Sequence, residues 1–337
     1  MSDQLRVESI RGELVESVHR VSVAVVTEAG RLVASAGEPD RVTFWRSAAK
    51  PFQAVPLVAD GAADRFRFDS RELALACASH SSEPAHIQVA ESMLRKAGLG
   101  EQALACGPHP PLSSQVYEHA LRHGLAITPK WSNCSGKHAG MLALALAHDW
   151  PTAGYETAGH PVQRRILAEI ERWTDVPAGQ MRFGVDGCTV VCFGLPLRSM
   201  ALAYARLAAS TEPAMVRLRN AMAAHPGLIA GTGRICTDLN LATGGAILAK
   251  VGADGIHCAA IPAAGLGVAL KVSDGDMRSS GPALLAVLRQ LADHGRVALD
   301  LSPAPPELAR HVELPTVNTR GVVTGTLRAT GAMRFTA

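Results

Sequence analysis

Apolar and polar positions change period along the chain, and the change marks its elements. The stretch 21–26 and the stretch 31–35 are β-prone runs around Glu28-Ala29-Gly30, which predicts a β-hairpin. From Ser47 onward apolar residues recur at helical spacing until Asp60-Gly61 stops them. That pattern predicts a helix with Ser47 as cap at or near its N-terminus and Pro51 in its tolerant first turn. Helical spacing continues at 70–78, 84–96, 113–123, 136–148, 161–173, 198–208 and 212–224, bounded by Gly, Pro, Ser or Asp. Strand-like runs return at 246–251 and 268–272, a helix is predicted over 282–292, and 321–329 closes the chain as a strand. Strands at both ends around a helical middle predict an α+β layer fold whose sheet is assembled from the two termini. No repeat appears, no linker cleanly divides the chain, and Pro303-Ala304-Pro305-Pro306 reads as a short surface loop.

Length and composition narrow the class. The chain has 337 residues, which at roughly 150 per domain means about two domains or one large domain of two lobes. Hydrophobic residues are 47% and charged residues 19%, too apolar for a disordered chain. Lys plus Arg is 33 against 30 for Asp plus Glu, and the net charge of +3 is spread without a basic block, which argues against a dedicated nucleic-acid binder. The uncharged stretch 255–270 contains Pro262 and several glycines and is shorter than the roughly 20 apolar residues of a bilayer span, so no membrane span is expected. The first residues are polar, with Asp3 and Glu8, and do not read as a signal peptide. Seven cysteines without regular spacing point to free thiols in a reducing cytoplasm.

Four segments could carry chemistry. In Ser47-Ala48-Ala49-Lys50 a serine and a lysine three apart at a helix start share one face, the geometry a serine nucleophile with an amine base needs. The amine must be neutral to act, which calls for burial, a second cation or the positive end of the helix dipole. Such a pair is also common by chance on solvated helices, but Phe44-Trp45 and Phe52 surround this one with aromatic residues. Cys77-Ala78-Ser79-His80-Ser81-Ser82-Glu83 could present hydroxyls and an imidazole to a substrate, or be a turn in which Ser81 or Ser82 caps the helix at Pro84. Asn133-Cys134-Ser135-Gly136-Lys137-His138 lacks the full spacing of a phosphate loop. Its Cys134 and Lys137, on one helical face, could join Asp186-Gly187-Cys188 in a polar or metal-binding pocket; buried free thiols are the plainer alternative. Lys250, at the end of a strand-like run before Gly252, could stand at a sheet edge where a substrate approaches the backbone, or simply end the strand.

Taken together these segments resemble the asparaginase II family, the thermolabile, rhizobial-inducible type of L-asparaginase. The resemblance runs through VESVHRVSVAVV, RSAAKPFQA (46–54), ASHSSEPAH (78–86), NCSGKHAGML (133–142), GVDGC (184–188), AKVGADG (249–255) and NTRGVVTG, in order over nearly the whole chain. It implies a fold like that of serine β-lactamases and penicillin-binding proteins: α+β, with an antiparallel sheet built from both termini, in one catalytic domain over 1–337 with two lobes. It implies Ser47 as nucleophile with Lys50 as base, and a second pair, Ser79 with Lys250. Two lysines near one hydroxyl would each depress the other's pKa. It implies a zinc ion on Cys134, Lys137 and Cys188 with Asp186 nearby, where the lysine must lose its proton to bind. Against the family's pattern, Ser82 stands where Gly is usual, and Thr189-Val190-Val191 replaces Gly-x-Pro.

The activity implied is hydrolysis of the side-chain amide of L-asparagine to L-aspartate and ammonia through an acyl-enzyme. Arg46, Glu83 and His138 are the candidates to hold the substrate's α-carboxylate and α-amine, with His138 alternatively supporting the cysteine site. The family suggests a homodimer, with the free amino acid as the small-molecule partner. Rival readings are a β-lactamase-like hydrolase or esterase, and a zinc- or amino-acid-binding protein without turnover.

Overall fold

The amino-terminal alternation folds into strands, as a run of β-branched residues flanked by turn glycines should. A computed structural model describes residues 4–301 and 304–336; Asp3 and Pro303, noted above, lie outside the described residues. In chain order the strands are β1 (Arg6–Arg11), β2 (Leu14–Thr27), β3 (Leu32–Ala36), β4 (Val42–Phe44), β5 (Arg182–Val185), β6 (Val191–Pro196), β7 (Leu248–Val251), β8 (Ile256–Ile261), β9 (Leu266–Val272), β10 (Glu313–Val317), β11 (Val323–Thr330) and β12 (Arg334–Phe335). The chain divides into two compact units. The first combines the described residues up to Ala48, Leu195–Ala209, and those from Asp238 on; the second combines Ala49–Gly194 and Ser210–Thr237.

The first unit is built on an antiparallel sheet in the order β10-β11-β1-β2-β9-β8-β7, with β3 beside β2 and β12 beside β3. Its centre joins the two ends of the chain. Strand β1 pairs with β11 from Arg6↔Thr330 to Arg11↔Gly325, and β2 pairs with β9 from Val21↔Val272 to Thr27↔Leu266. Strand β9 is buried along its whole length, and the helix Leu197–Ala209 packs on β9, β2 and β8. Gly267 permits that approach: a Cβ there would lie 2.0 Å from the Ala201 carbonyl oxygen. The α+β class and the sheet assembled from both termini are thus as the sequence predicts. The strands β1, β4, β5, β6, β8, β10 and β12 lie outside the predicted strand runs. Strand β8 lies inside the uncharged stretch 255–270 and is buried throughout, so it shows no alternation to read.

The second unit is largely helical. The helix Pro84–Lys96 has the predicted bounds, and Ser114–Arg122 and Ser135–Ala147 lie within a residue of them. Ser113 caps the second of these by accepting from the Val116 N–H. The single helix predicted from Ser47 is instead three pieces, a 3-10 turn Arg46–Ala49 and the helices Lys50–Gln53 and Val55–Ala59. The cause is proline. Pro51 and Pro56 stand at the starts of the two α-helical pieces, and Pro56 has no N–H to continue the ladder back to Phe52. Ser47 is therefore inside a turn and is not a cap. Ser81 and Ser82 are not caps either: the helix at Pro84 has Glu83 at its N-cap, and the two hydroxyls donate to the carbonyls of Ala230 and Trp131. Among the described residues no helix is long and apolar enough to cross a membrane.

Candidate active site

In the second unit, the chemistry gathers around the Lys50 amine. Lys50 opens its short helix with the side chain buried. Its Nζ donates to the Ala78 carbonyl at 2.6 Å, to Ser79 Oγ at 3.0 Å and to the Asn133 carbonyl at 3.3 Å. Three segments far apart in sequence therefore meet at one nitrogen. The loop bearing Ser79 is held from behind: Ser79 N–H donates to the Ile229 carbonyl, and the Arg234 guanidinium donates to the Ser79 carbonyl at 2.6 Å. Arg234 was not among the candidates; its only signal in sequence is an arginine following Gly231-Thr232-Gly233.

Ser47 lies at the end of the first unit's leading segment, half-buried, and three residues before Lys50 on helical backbone. Its neighbours are firmly anchored within that unit. Trp45 is buried edge-on against Tyr204, and Tyr204 Oη donates to the Ala48 carbonyl at 2.7 Å. Arg46, between them, has φ 52, a left-handed backbone that costs a non-glycine residue about 1–3 kcal/mol. Lys250 is in the same unit, on the edge strand β7, fully buried, with Nζ donating to the Val251 carbonyl at 2.9 Å. Opposite it on β8 stands Cys258, whose thiol burial pushes up to about 12.

Two of the three candidates for substrate binding are already engaged, and the third, His138, is held through one ring nitrogen only, its buried Nε2 having no hydrogen-bond partner among the described residues. The Arg46 guanidinium pairs with the Asp254 carboxylate. Glu83 accepts from the Thr232 N–H at 2.7 Å and from Thr232 Oγ1 at 3.2 Å. His138 is buried, and Nδ1 lies 2.6 Å from Tyr155 Oη. Burial, with the nearby Lys137 and Lys50 ammoniums, holds its imidazole well below the ordinary histidine value.

Cys134, Lys137 and Cys188 lie together in the second unit. Cys134 precedes the helix Ser135–Ala147, Cys188 lies in the β5–β6 hairpin, and Lys137 Nζ donates to Cys188 Sγ at 3.1 Å. A hydrogen bond from the Cys188 thiol, helped by the Lys50 and Lys137 ammoniums, holds Cys134 well below the ordinary thiol value despite its burial. Burial alone would lower the Lys137 ammonium, but Cys188, Cys134 and the Asp186 carboxylate outweigh it and hold it above the ordinary lysine value. Among the described residues no group of three or more His, Cys, Asp or Glu is clustered to hold a metal, and all seven cysteines are free. Two sulfurs and an amine that already converge do fit a zinc ion in donor type, provided the amine gives up its proton. Ser82 (φ 60) and Thr189 (φ 76), the two departures from the family's pattern, both adopt the left-handed backbone that favours the glycine they replace.

A cavity of about 540 Å³ in the same unit is lined by Pro84, Ile87, Val116, Leu125 and Trp131. Neither Lys50 nor Ser79 lines it.

A buried amine hydrogen-bonded to a serine hydroxyl is an arrangement that can pass a proton between nitrogen and oxygen. The model of the L-asparaginase II family matches residues 7–329, nearly the whole chain. The chain belongs to that family. Among curated sequences no relative matches. Among solved structures, Mglu in its native form in the presence of 4.3 M NaCl is similar over 83% of this chain and 62% of that chain, at 16% identity and a TM-score of 0.46. A beta-lactamase from Mycobacterium bovis is similar over 76% of this chain and 87% of that one, at 15% identity and a TM-score of 0.34. This chain thus spans less than two thirds of the Mglu chain.

Proposed function

We propose that the protein hydrolyses the side-chain amide of L-asparagine to L-aspartate and ammonia. The observation that carries the reading is the Lys50 amine, buried and hydrogen-bonded to Ser79, one helical turn after Ser47 in a chain of this family. In its neutral form Lys50 takes the Ser47 hydroxyl proton as Oγ bonds to the amide carbon. The C–N bond then breaks and the nitrogen leaves as ammonia with that proton, leaving an aspartyl ester on Ser47. Water, giving a proton to the same amine, attacks the ester carbon, and Ser47 leaves with the proton restored. Ser79 relays the proton, and Lys250 is the second lysine of the set. Backbone N–H groups at the turn, that of Ser47 included, would stabilise the oxyanion, each worth about 3 kcal/mol in acyl-transfer enzymes. Zinc, when bound, would be held by Cys134, Lys137 and Cys188 and would supply a fixed positive charge tying the start of the helix Ser135–Ala147 to the β5–β6 hairpin. A homodimer in the cytoplasm is the assembly and compartment we propose, the first read by sedimentation.

The test is ammonia release from L-asparagine by the parent protein, Ser47→Ala and Lys50→Ala, with added zinc and after chelation. Release by the parent, reduced about 10⁴-fold or more in each variant, is expected. No release under any zinc condition sinks the asparaginase reading, and turnover of a chromogenic lactam instead would favour a β-lactamase-like hydrolase.

A further inference from the structure

An amino-acid amide brings a free α-carboxylate to its site, and a carboxylate taken out of water must be met by a cation with unused hydrogen-bond donors. The cations around the proposed chemistry differ in what they have to spare. Arg46 is on Asp254, Lys50 donates to three oxygens, and Lys137 is held among sulfurs. Arg234 is different. Only Nη1 of its guanidinium is used, toward the Ser79 carbonyl at 2.6 Å and the Ala230 carbonyl at 3.3 Å.

Among the described residues Arg234 forms no ion pair, and its Nε and Nη2 donate no hydrogen bond. Glu83, the carboxylate that acts on it electrostatically, already accepts from Thr232. Burial, only partly offset by Cys236 and Glu83, pulls the guanidinium below the usual arginine value, as expected of a cation without its counter-anion. The Nε and Nη2 donors form one flat edge of the fork, the edge that receives both oxygens of a carboxylate. Position adds the rest. Arg234 grips the backbone carbonyl of the same residue whose hydroxyl meets the Lys50 amine.

We propose that Arg234 determines specificity for amino-acid amides with a free α-carboxylate, receiving that carboxylate on its Nε–Nη2 edge. This rests on the amidohydrolase reading above. Lysine at this position would keep the charge and lose the fork.

The experiment compares the parent enzyme with Arg234→Lys on two substrates, L-asparagine and its α-methyl ester, with melting temperature as a check on folding. For L-asparagine, KM rises about 100-fold in the variant while kcat stays within about threefold. For the ester, which has no carboxylate to lose, KM is the same in both enzymes. Calorimetric binding of L-aspartate, which needs no turnover, weakens in parallel. An equal loss on both substrates would mean that Arg234 only props up the Ser79 loop, and overturns the assignment. So does a KM for L-asparagine unchanged within twofold in an active parent, which leaves the amidohydrolase reading standing. A parent that neither releases ammonia nor binds L-aspartate overturns both.

Discussion

His80 and His86 show how single residues near the proposed chemistry are held in one charge state. Their rings stack 5.0 Å apart, and a backbone N–H points at Nδ1 of each, from Ser82 at 3.2 Å and from Glu83 at 3.0 Å. Each Nε2 faces an acceptor, Ser135 Oγ for His80 and the Gly227 carbonyl for His86. Protonation at Nδ1 would set N–H against N–H. Burial also lowers both imidazoles, His80 furthest because its positive neighbours add to the effect, while for His86 the Gly227 carbonyl and the Glu83 carboxylate offset part of it. The unfolded chain therefore takes up protons near pH 6.5 that the native protein refuses. Stability is full above that pH and falls as the pH drops through it toward the lowered native values. From pH 7.5 to 5.5 the two histidines together should remove about 2 kcal/mol, measured as a shift in urea midpoint, and His80→Gln should about halve the pH dependence. At the same scale, the departures at Ser82 and Thr189 were legible as substitutions for glycine. Their strain was not, because φ depends on the loop each residue must complete.

Among the elements, those bounded by local chemistry were legible. Pro84 and the paired basic residues Arg95 and Lys96 delimit one helix, and Ser113 starts another, so their ends lie where the residues say. The broken helix after Ser47 follows from Pro56, a local signal outweighed by the apolar spacing around it. Strand β8, buried along its length, carries no period-two signal that distinguishes a sheet from a buried helix, whereas the equally buried β9 was legible as a strand-like run at 268–272. Packing between elements has its own requirement at Gly267 in β9. A methyl group there would meet the backbone of the helix Leu197–Ala209 at 2.0 Å (Ala201 O) and 2.2 Å (Ala205 N), and backbone cannot rotate aside as a side chain can. Gly267→Ala should therefore destabilise the protein by about 3 kcal/mol, read from denaturant midpoints. A loss under 0.5 kcal/mol would show that the helix is free to shift.

For the molecule as a whole, the decisive pairing is between its ends. Strand β1 has β2 on one side and β11 on the other, and β12 pairs with β3, so the last strands close a sheet begun by the first. A chain ending at Val312 would leave β1 as an open edge and remove the buried side chains of Leu327 and Met333 from the core. We expect it to lose the soluble yield and the single thermal transition of the parent; retention of both would mean that the sheet tolerates its loss. The sequence by itself determined the α+β class, the strands β2, β3 and β11 near its ends, most helices of the second unit, and through its ordered motifs the family and the residue types of the site. Those features depend on local spacing and on short strings of residues. Tertiary structure decided that Lys50 meets Ser79 and the Asn133 carbonyl, that Arg46 pairs with Asp254, Glu83 with Thr232 and His138 Nδ1 with Tyr155, and that Arg234 is left with its Nε and Nη2 donors unused. Such contacts join positions tens to hundreds of residues apart, and only the folded chain brings their donors and acceptors to one place.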